Sequence, residues 1–354
     1  MEIYYFFFIY LATFLSLVFT KKSTYDVAFY ILWWLIALTL SLILRSYINY
    51  DRYEDATDID FYLTAFADLE ANVGLASKTK EFIWWSIGGY LYDITGSGKV
   101  VIFIIDVLIF FFFFRSFLNI RKTLFPSLNN SSTRFLLLGF LLFFAFTSGM
   151  TDHIRQLLAS AILLYSITKV LDKKFIRAIL FFLIALFIHS STILFFPLLL
   201  FMSDIRKYKF FAVILIAIIP ITLNLFLYTD FIYSILNINQ YKDKFALSMG
   251  FVGETIAYYY LLIFCVLALT LIMMNKFSAQ NKLIFQYVII LFLIYAACVF
   301  VIPSEPAERL AKYVCILLFP VVGYFFEVYF SNKILIRIIY LHFSLLPLIH
   351  YTMV

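Results

Sequence analysis

The chain has 354 residues, of which 64% are hydrophobic, 21% aromatic and only 14% charged, a composition that no water-soluble domain carries. With 45 Phe and 26 Tyr against ten Gly and seven Pro, too little polar surface remains to coat a globule of this size, so a cytosolic enzyme is excluded. The net charge of +6 is scattered over short loops and forms no single basic face, which excludes a nucleic-acid binder and makes the pI of 9.0 a topology signal.

Crossing roughly 30 Å of hydrocarbon takes about 20 residues. Stretches of that kind are predicted at 3–19, 28–46, 98–117, 135–151, 156–171, 208–229, 257–275, 283–301, 310–329 and 336–352. The first lacks a basic region ahead of it and a small-residue cleavage site, so it reads as a span and not as a removable signal. Between the first spans, loop 47–81 carries Asp51, Glu54, Asp55, Asp58, Asp60, Asp68, Glu70 and Glu81 against Arg52, Lys78 and Lys80. Such a loop is not retained inside by positive charge. Segment 82–93, FIWWSIGGYLYD, is too short to span and is rich in the aromatics that favour the headgroup level, so it is expected in the outer interface.

The apolar run 176–203 is broken in its middle by His189, Ser190 and Ser191. Basic loops mark the cytoplasmic side, and Lys21/Lys22, Arg121/Lys122/Arg134, Lys169/Lys173/Lys174/Arg177, Arg206/Lys207/Lys209, Lys276/Lys282 and Lys333/Arg337 all meet there only if 176–188 and 190–203 are short helices paired around His189. A hairpin at 210–237, pivoting near Pro220, would satisfy the same rule. The expected fold is an all-α polytopic membrane protein of about ten to twelve helices, one transmembrane domain over 1–354, with an extracytoplasmic loop and interfacial helix at 47–97. Cys265, Cys298 and Cys315 lie in apolar runs and read as small buried residues. Asp106, alone in VIFIIDVLIFFFFF, costs about 2.5–3.5 kcal/mol in lipid and is expected to hydrogen-bond a neighbouring span. Glu327 is expected to reach the cytoplasmic interface.

The extracytoplasmic side gathers the unusual polar clusters: RYEDATDIDFY at 52–62, TDHIRQ at 151–156 and PSEPAERLAKY at 303–313. Helical spacing puts Asp152 on one face with Arg155 and Gln156, and Arg309 on one face with Lys312 and Tyr313. An arginine at membrane depth points to a function, and its planar fork of donors suits phosphate or diphosphate oxygens such as those of a lipid diphosphate. A nearby carboxylate or imidazole could accept a proton from an acceptor hydroxyl. The bland alternatives are plain ones: Arg155 and Arg309 as snorkelling anchors, Arg52 in a surface ion pair, Asp58 as a helix cap, and His189 as a buried histidine satisfied by the neighbouring serines.

These motifs resemble the EpsG/Wzy group of polysaccharide polymerases. RYEDATDIDFYLTAF matches the signature with Arg52, Asp58 and Tyr62 in its places and Ala56 where the family has glycine. Glu81 with its trailing aromatics, HIRQLLASAILL at 153–164, FIHSSTILFF at 187–196 and ERLAKYVCILLFP at 308–320 resemble the elements that follow. The resemblance implies a C-type glycosyltransferase architecture in the bacterial inner membrane, with the reaction on its periplasmic or outer face. There an inverting, metal-independent polymerase would pass a growing glycan from undecaprenyl diphosphate to the non-reducing end of a new lipid-linked repeat unit. No cofactor, nucleotide sugar or nucleic acid enters. The partners are the lipid-linked repeat unit and polymer, membrane lipid, and a chain-length regulator protein. On this reading Arg155 and Arg309, with Arg52, hold the diphosphate. Asp58 is the first and His189 the second choice for activating the acceptor, with His153 a further candidate base. Tyr62, Glu81, Gln156 and Tyr313, with Trp84 and Trp85, contact sugar or support the site. A glycan ligase would use the same arginines, and a flippase or transporter of lipid-linked oligosaccharide is the reading from a different class.

Overall fold

The structure is a computed structural model that describes residues 26–46, 58–68, 73–76, 81–151, 153–203, 206–228, 279–299, 304–329, 332 and 334–341. Arg52, Asp152, and the predicted spans 3–19 and 257–275 lie outside these residues. Every regular element among them is helical. The order is α1 (Asp26–Ser46), α2 (Asp58–Ala67), α3 (Phe82–Thr95), α4 (Gly98–Leu124), α5 (Asn130–Leu141), α6 (Phe144–Thr151), α7 (Ile154–Leu171) and α8 (Phe175–Ile188). A 3-10 turn (Ser190–Phe195) then leads into α9 (Phe196–Met202), α10 (Arg206–Tyr228), α11 (Ala279–Val299) and α12 (Ser304–Tyr329), followed by α13 over 334–341. Among the described residues, three stretches, Gly98–Leu124, Ile154–Leu171 and Arg309–Tyr329, are long and apolar enough to cross a membrane by themselves.

Ring contacts settle the path of the broken run. Phe182 on α8 meets Phe196 at the start of α9 with centroids 5.3 Å apart, and Phe175 at the start of α8 stacks on Tyr208 of α10 at 5.4 Å. The chain therefore leaves Phe175, turns at His189 and comes back beside itself. Arg177 and Arg206 end on the same side, as the charge argument requires. Helix α10 runs unbroken through Pro220 to Tyr228, so the hairpin is at 176–203 and not in the described part of 210–237.

The predicted span 135–151 is two helices, not one. The chain breaks at Leu142 and Phe143, where Leu142 N–H donates to Gly139 O and Phe143 N–H to Phe140 O, tightening the last turn of α5. The break sits in an aromatic layer in which Phe140 and Phe143 both meet Phe319 of α12, at 5.2 and 4.6 Å. Within α12, Pro320 cannot donate to the preceding turn. Buried tyrosine hydroxyls serve carbonyls beside it, Tyr287 donating to Leu317 O and Tyr340 to Phe319 O at 2.8 and 2.7 Å. In lipid such groups need an internal partner. Asp106 has the expected one, accepting from the Ser41 hydroxyl of α1.

Helices α2 and α3 differ from the expected loop and interfacial segment. Residues 58–67 form a helix whose Ile59, Tyr62, Leu63 and Phe66 are buried. Trp84 and Trp85, expected at the headgroup level, are 2% and 1% exposed and pack against Tyr62 and Phe66. The face of α3 that looks outward is Phe82, Ile87, Tyr90 and Ile94, so the aromatic run splits between core and surroundings. Gly88 makes this packing possible, because a Cβ there would lie 2.1 Å from the Phe66 ring. Gly88→Ala is expected to push Phe66 out of place and destabilise the α2–α3 contact by about 1–3 kcal/mol, read as a lower unfolding temperature in detergent.

The two ends of the bundle differ in chemistry. At one end lie Arg121, Lys122, Lys169, Lys173 and Lys174, where Asn119 and Thr123 of α4 reach Thr168 in the last turn of α7 and Asp172 just beyond it. Also there, Glu327 is buried and accepts two hydrogen bonds from Arg337 and one from Ser132. It pairs inside the protein and does not reach the interface by itself, because α13 packs back over it. The other end gathers the heads of α3, α7 and α12 and the tip of the α8–α9 hairpin.

Candidate functional site

Helix starts build this end. Glu81 is the N-cap residue of α3 yet makes no capping hydrogen bond with its side chain. Its carboxylate turns inward, 3% exposed for the whole residue, and accepts from Arg155 Nη1 on α7. The other oxygen accepts from the Ser190 backbone N–H at 3.0 Å and its hydroxyl at 3.3 Å. One carboxylate thus ties the head of α7 to the hairpin tip. A cation in the first turn of a helix opposes the macrodipole, and Glu81 compensates Arg155 there. The Arg155 guanidinium also lies over the Tyr62 ring, 5.5 Å from its centroid, a cation–π contact. With Nη1 given to Glu81, Arg155 Nε is buried without a hydrogen-bond partner.

The second arginine arrives from α12. Gln156 Nε2 donates to the Arg309 carbonyl, fixing the first turns of α7 and α12 against each other. Tyr313, one turn further along α12, is fully buried and hydrogen-bonds Thr192 across 3.0 Å. It holds the hairpin tip from behind and has no face open for sugar. His189 is the turn itself. Its backbone is extended, at φ −147° and ψ 114°, and its Nδ1 accepts from the Ser191 N–H at 3.3 Å with the Ser191 hydroxyl at 2.7 Å.

These elements leave a small cleft lined by Tyr62, His153, Arg155, Gln156, His189 and Arg309. Six of the twelve residues singled out from the sequence therefore share one space. Glu81 and Tyr313 stand behind it as supports. Asp58 opens α2, one helical turn before Tyr62, which puts both on one face of that helix. Arg52 lies outside the described residues. A second, more apolar hollow adjoins through His153 and Gln156 and is lined also by Ala145, Gly149, Leu157, Lys312 and Ile316. Trp84 and Trp85 are core residues, because Tyr62 and Phe66 cover them.

Sequence reasoning missed the part played by Ser190 and Thr192. Ser190 serves a carboxylate 109 positions away and Thr192 a tyrosine 121 positions away, and no local spacing announces such pairs. The signal that was present is the polar break in an apolar run at His189, Ser190 and Ser191, which placed Ser190 at a turn with Thr192 just beyond it. Cys298 and Cys315 are buried, as expected of small core residues.

No curated protein and no solved structure matches the chain. A family model described as the EpsG family matches residues 32–354, a range that includes every element lining the cleft. A membrane bundle in which Tyr62, His153, Arg155, Gln156, His189 and Arg309 line one polar cleft is thereby placed: the chain belongs to the EpsG family.

Proposed function

We propose that the protein is a polysaccharide polymerase that transfers a growing glycan from a polyprenyl diphosphate, undecaprenyl diphosphate in bacteria, to the terminal sugar of a new lipid-linked repeat unit. The observation that carries this reading is the meeting of Arg155 and Arg309, from helices more than 130 residues apart in sequence, on one cleft beside His189. Guanidinium groups offer the paired donors that a diphosphate accepts, and they stabilise the charge that grows as the diphosphate departs. Arg155 keeps its Nε edge for this while Glu81 holds Nη1. Membership in the EpsG family supports a polymerase-like activity.

The basic end of the bundle faces the cytoplasm by the positive-inside rule, so the cleft opens toward the periplasmic or outer leaflet of the inner membrane. The reaction inverts C1 of the donor sugar. An acceptor hydroxyl attacks C1 while the bond from C1 to the diphosphate oxygen breaks, and a base takes the hydroxyl proton. Asp58 and His189 are the two candidates for that base.

Purified protein in proteoliposomes, given the lipid-linked repeat unit, is expected to produce a ladder of longer glycans resolved on a gel. Transfer of finished chains to a different acceptor without lengthening would make it a ligase. Movement of intact lipid-linked oligosaccharide across the bilayer without new glycosidic bonds would make it a flippase.

A further inference from the structure

Glu81 stands immediately behind the cleft, and its charge bears on what the cleft can hold. Arg155 and Arg309 line that space. The Glu81 carboxylate accepts from Arg155 Nη1 and, through its other oxygen, from the Ser190 N–H and hydroxyl at 3.0 and 3.3 Å. Its side chain does not cap its own helix. At 3% exposed it is shielded from water and salt, so its field reaches an anion seated against Arg155 with little screening. A bound anion therefore meets two cations and, behind one of them, a fixed negative charge.

The two ends of the transfer differ in charge. In the donor each phosphate is esterified at its outer oxygen, one to the glycan and one to the prenyl chain. The acceptor oxygen bonds to C1 and gives its proton to the base, while the electron pair of the broken C1–O bond goes to the diphosphate. The released lipid diphosphate then ends in a monoester-like phosphate with about one more negative charge at pH 7. Two arginines alone would hold that product more tightly than the donor, and each round of lengthening would stall on it. We propose that Glu81 sets this balance: by repelling the added charge, it weakens the hold on the released polyprenyl diphosphate more than the hold on the intact donor, and so promotes exchange for the next substrate. This rests on the polymerase reading above. Glu81 touches neither the substrate nor a reacting atom and acts through Arg155 and through its field.

Methyl diphosphate, and dimethyl diphosphate esterified at both ends, reproduce the two charge states without lipid or sugar. Their binding to the full-length protein in detergent is read by calorimetry at a pH where the free phosphate end is ionised. One unit charge at this range is worth about tenfold in affinity. The unsubstituted protein should prefer methyl diphosphate by about tenfold or less, the effect of one net cation, and Glu81→Gln by about 100-fold. The amide also gives up one of the two acceptor oxygens, but looser bracing shifts both compounds alike and leaves their ratio unmoved. Glu81→Asp keeps the charge and should keep the ratio of the unsubstituted protein. In proteoliposomes, undecaprenyl diphosphate should inhibit Glu81→Gln at about tenfold lower concentration, relative to its KM for the repeat unit, than it inhibits the unsubstituted protein. An unchanged ratio in folded Glu81→Gln, an equal change in Glu81→Asp, or a preference near 100-fold in the unsubstituted protein overturns the inference. Binding of neither compound overturns it whatever the polymer assay shows. If the unsubstituted protein binds them but forms no polymer, the polymerase reading fails, while the ratio still decides whether Glu81 offsets the added charge.

Discussion

Arg155→Ala and Arg309→Ala are each expected to lower polymer formation by about 100- to 1,000-fold, the range seen when one preorganised donor to a developing anion is removed. The two should differ in their effect on the fold. Arg155 compensates Glu81, which is 3% exposed. Its loss takes the cation away from that carboxylate while the Ser190 N–H and hydroxyl still donate to it, and breaking one half of a buried pair costs about 3–5 kcal/mol. A dead Arg155→Ala protein could therefore be an unfolded one. The double variant Arg155→Ala/Glu81→Gln separates the causes, because it removes the uncompensated charge while keeping a side chain that can accept from Ser190. It should recover most of the lost thermal stability and none of the activity. Arg155→Lys should also be poor, since a point charge cannot engage Glu81 through one nitrogen and offer a second edge to phosphate. Long glycan made by a stably inserted double variant would remove the diphosphate role from Arg155.

Why was so much of this cleft legible in the sequence, and so little of its support? Apolar spans, basic loops and polar interruptions obey rules that act locally, namely the cost of charge in lipid and the retention of Lys and Arg inside. They narrowed the hairpin to 176–203 or 210–237 and pointed to one shared site for Arg155, His189 and Arg309. The Phe175–Tyr208 and Phe182–Phe196 contacts agree with them. The break at Leu142–Phe143 carries no glycine, proline or charge. It depends on Phe319, nearly 180 residues away, and hydropathy cannot register that. Trp84 and Trp85 misled for a related reason. Tryptophan is equally at home at a headgroup interface and in a core, and the ring that buries them, Phe66, is itself placed by a glycine, Gly88. Glu81 was readable as a support, but which groups it supports was not, because its partners lie 74 and 109 positions along the chain.

The opposite end of the bundle holds the interaction whose disruption should cost the fold most. Arg337 Nε lies 2.5 Å from one Glu327 oxygen and its Nη2 lies 2.8 Å from the other, while Ser132 donates to Glu327 at 2.8 Å. Arg337 Nη2 also reaches the Ser131 hydroxyl at 3.1 Å, and the guanidinium lies 5.4 Å from the centroid of Phe135. Both residues are 2% exposed, so α5, α12 and α13 meet on a desolvated bidentate pair. Arg337→Ala would strand a buried carboxylate with one hydroxyl for a partner, and a loss of about 3–5 kcal/mol is expected. Replacing both charges, as in Glu327→Leu/Arg337→Met, removes the desolvation cost together with the attraction and should restore most of that stability. Because the pair sits at the far end of α12 from Arg309, the double variant should keep its polymer-forming activity. Unfolding temperature in detergent and glycan length on a gel read the two effects separately. If Arg337→Ala unfolds at the same temperature as the unsubstituted protein, the pair does not hold α13 to the bundle. If the double variant is stable but makes no polymer, the end of the bundle that holds Arg337 takes part in the reaction, and the cleft is not its only seat.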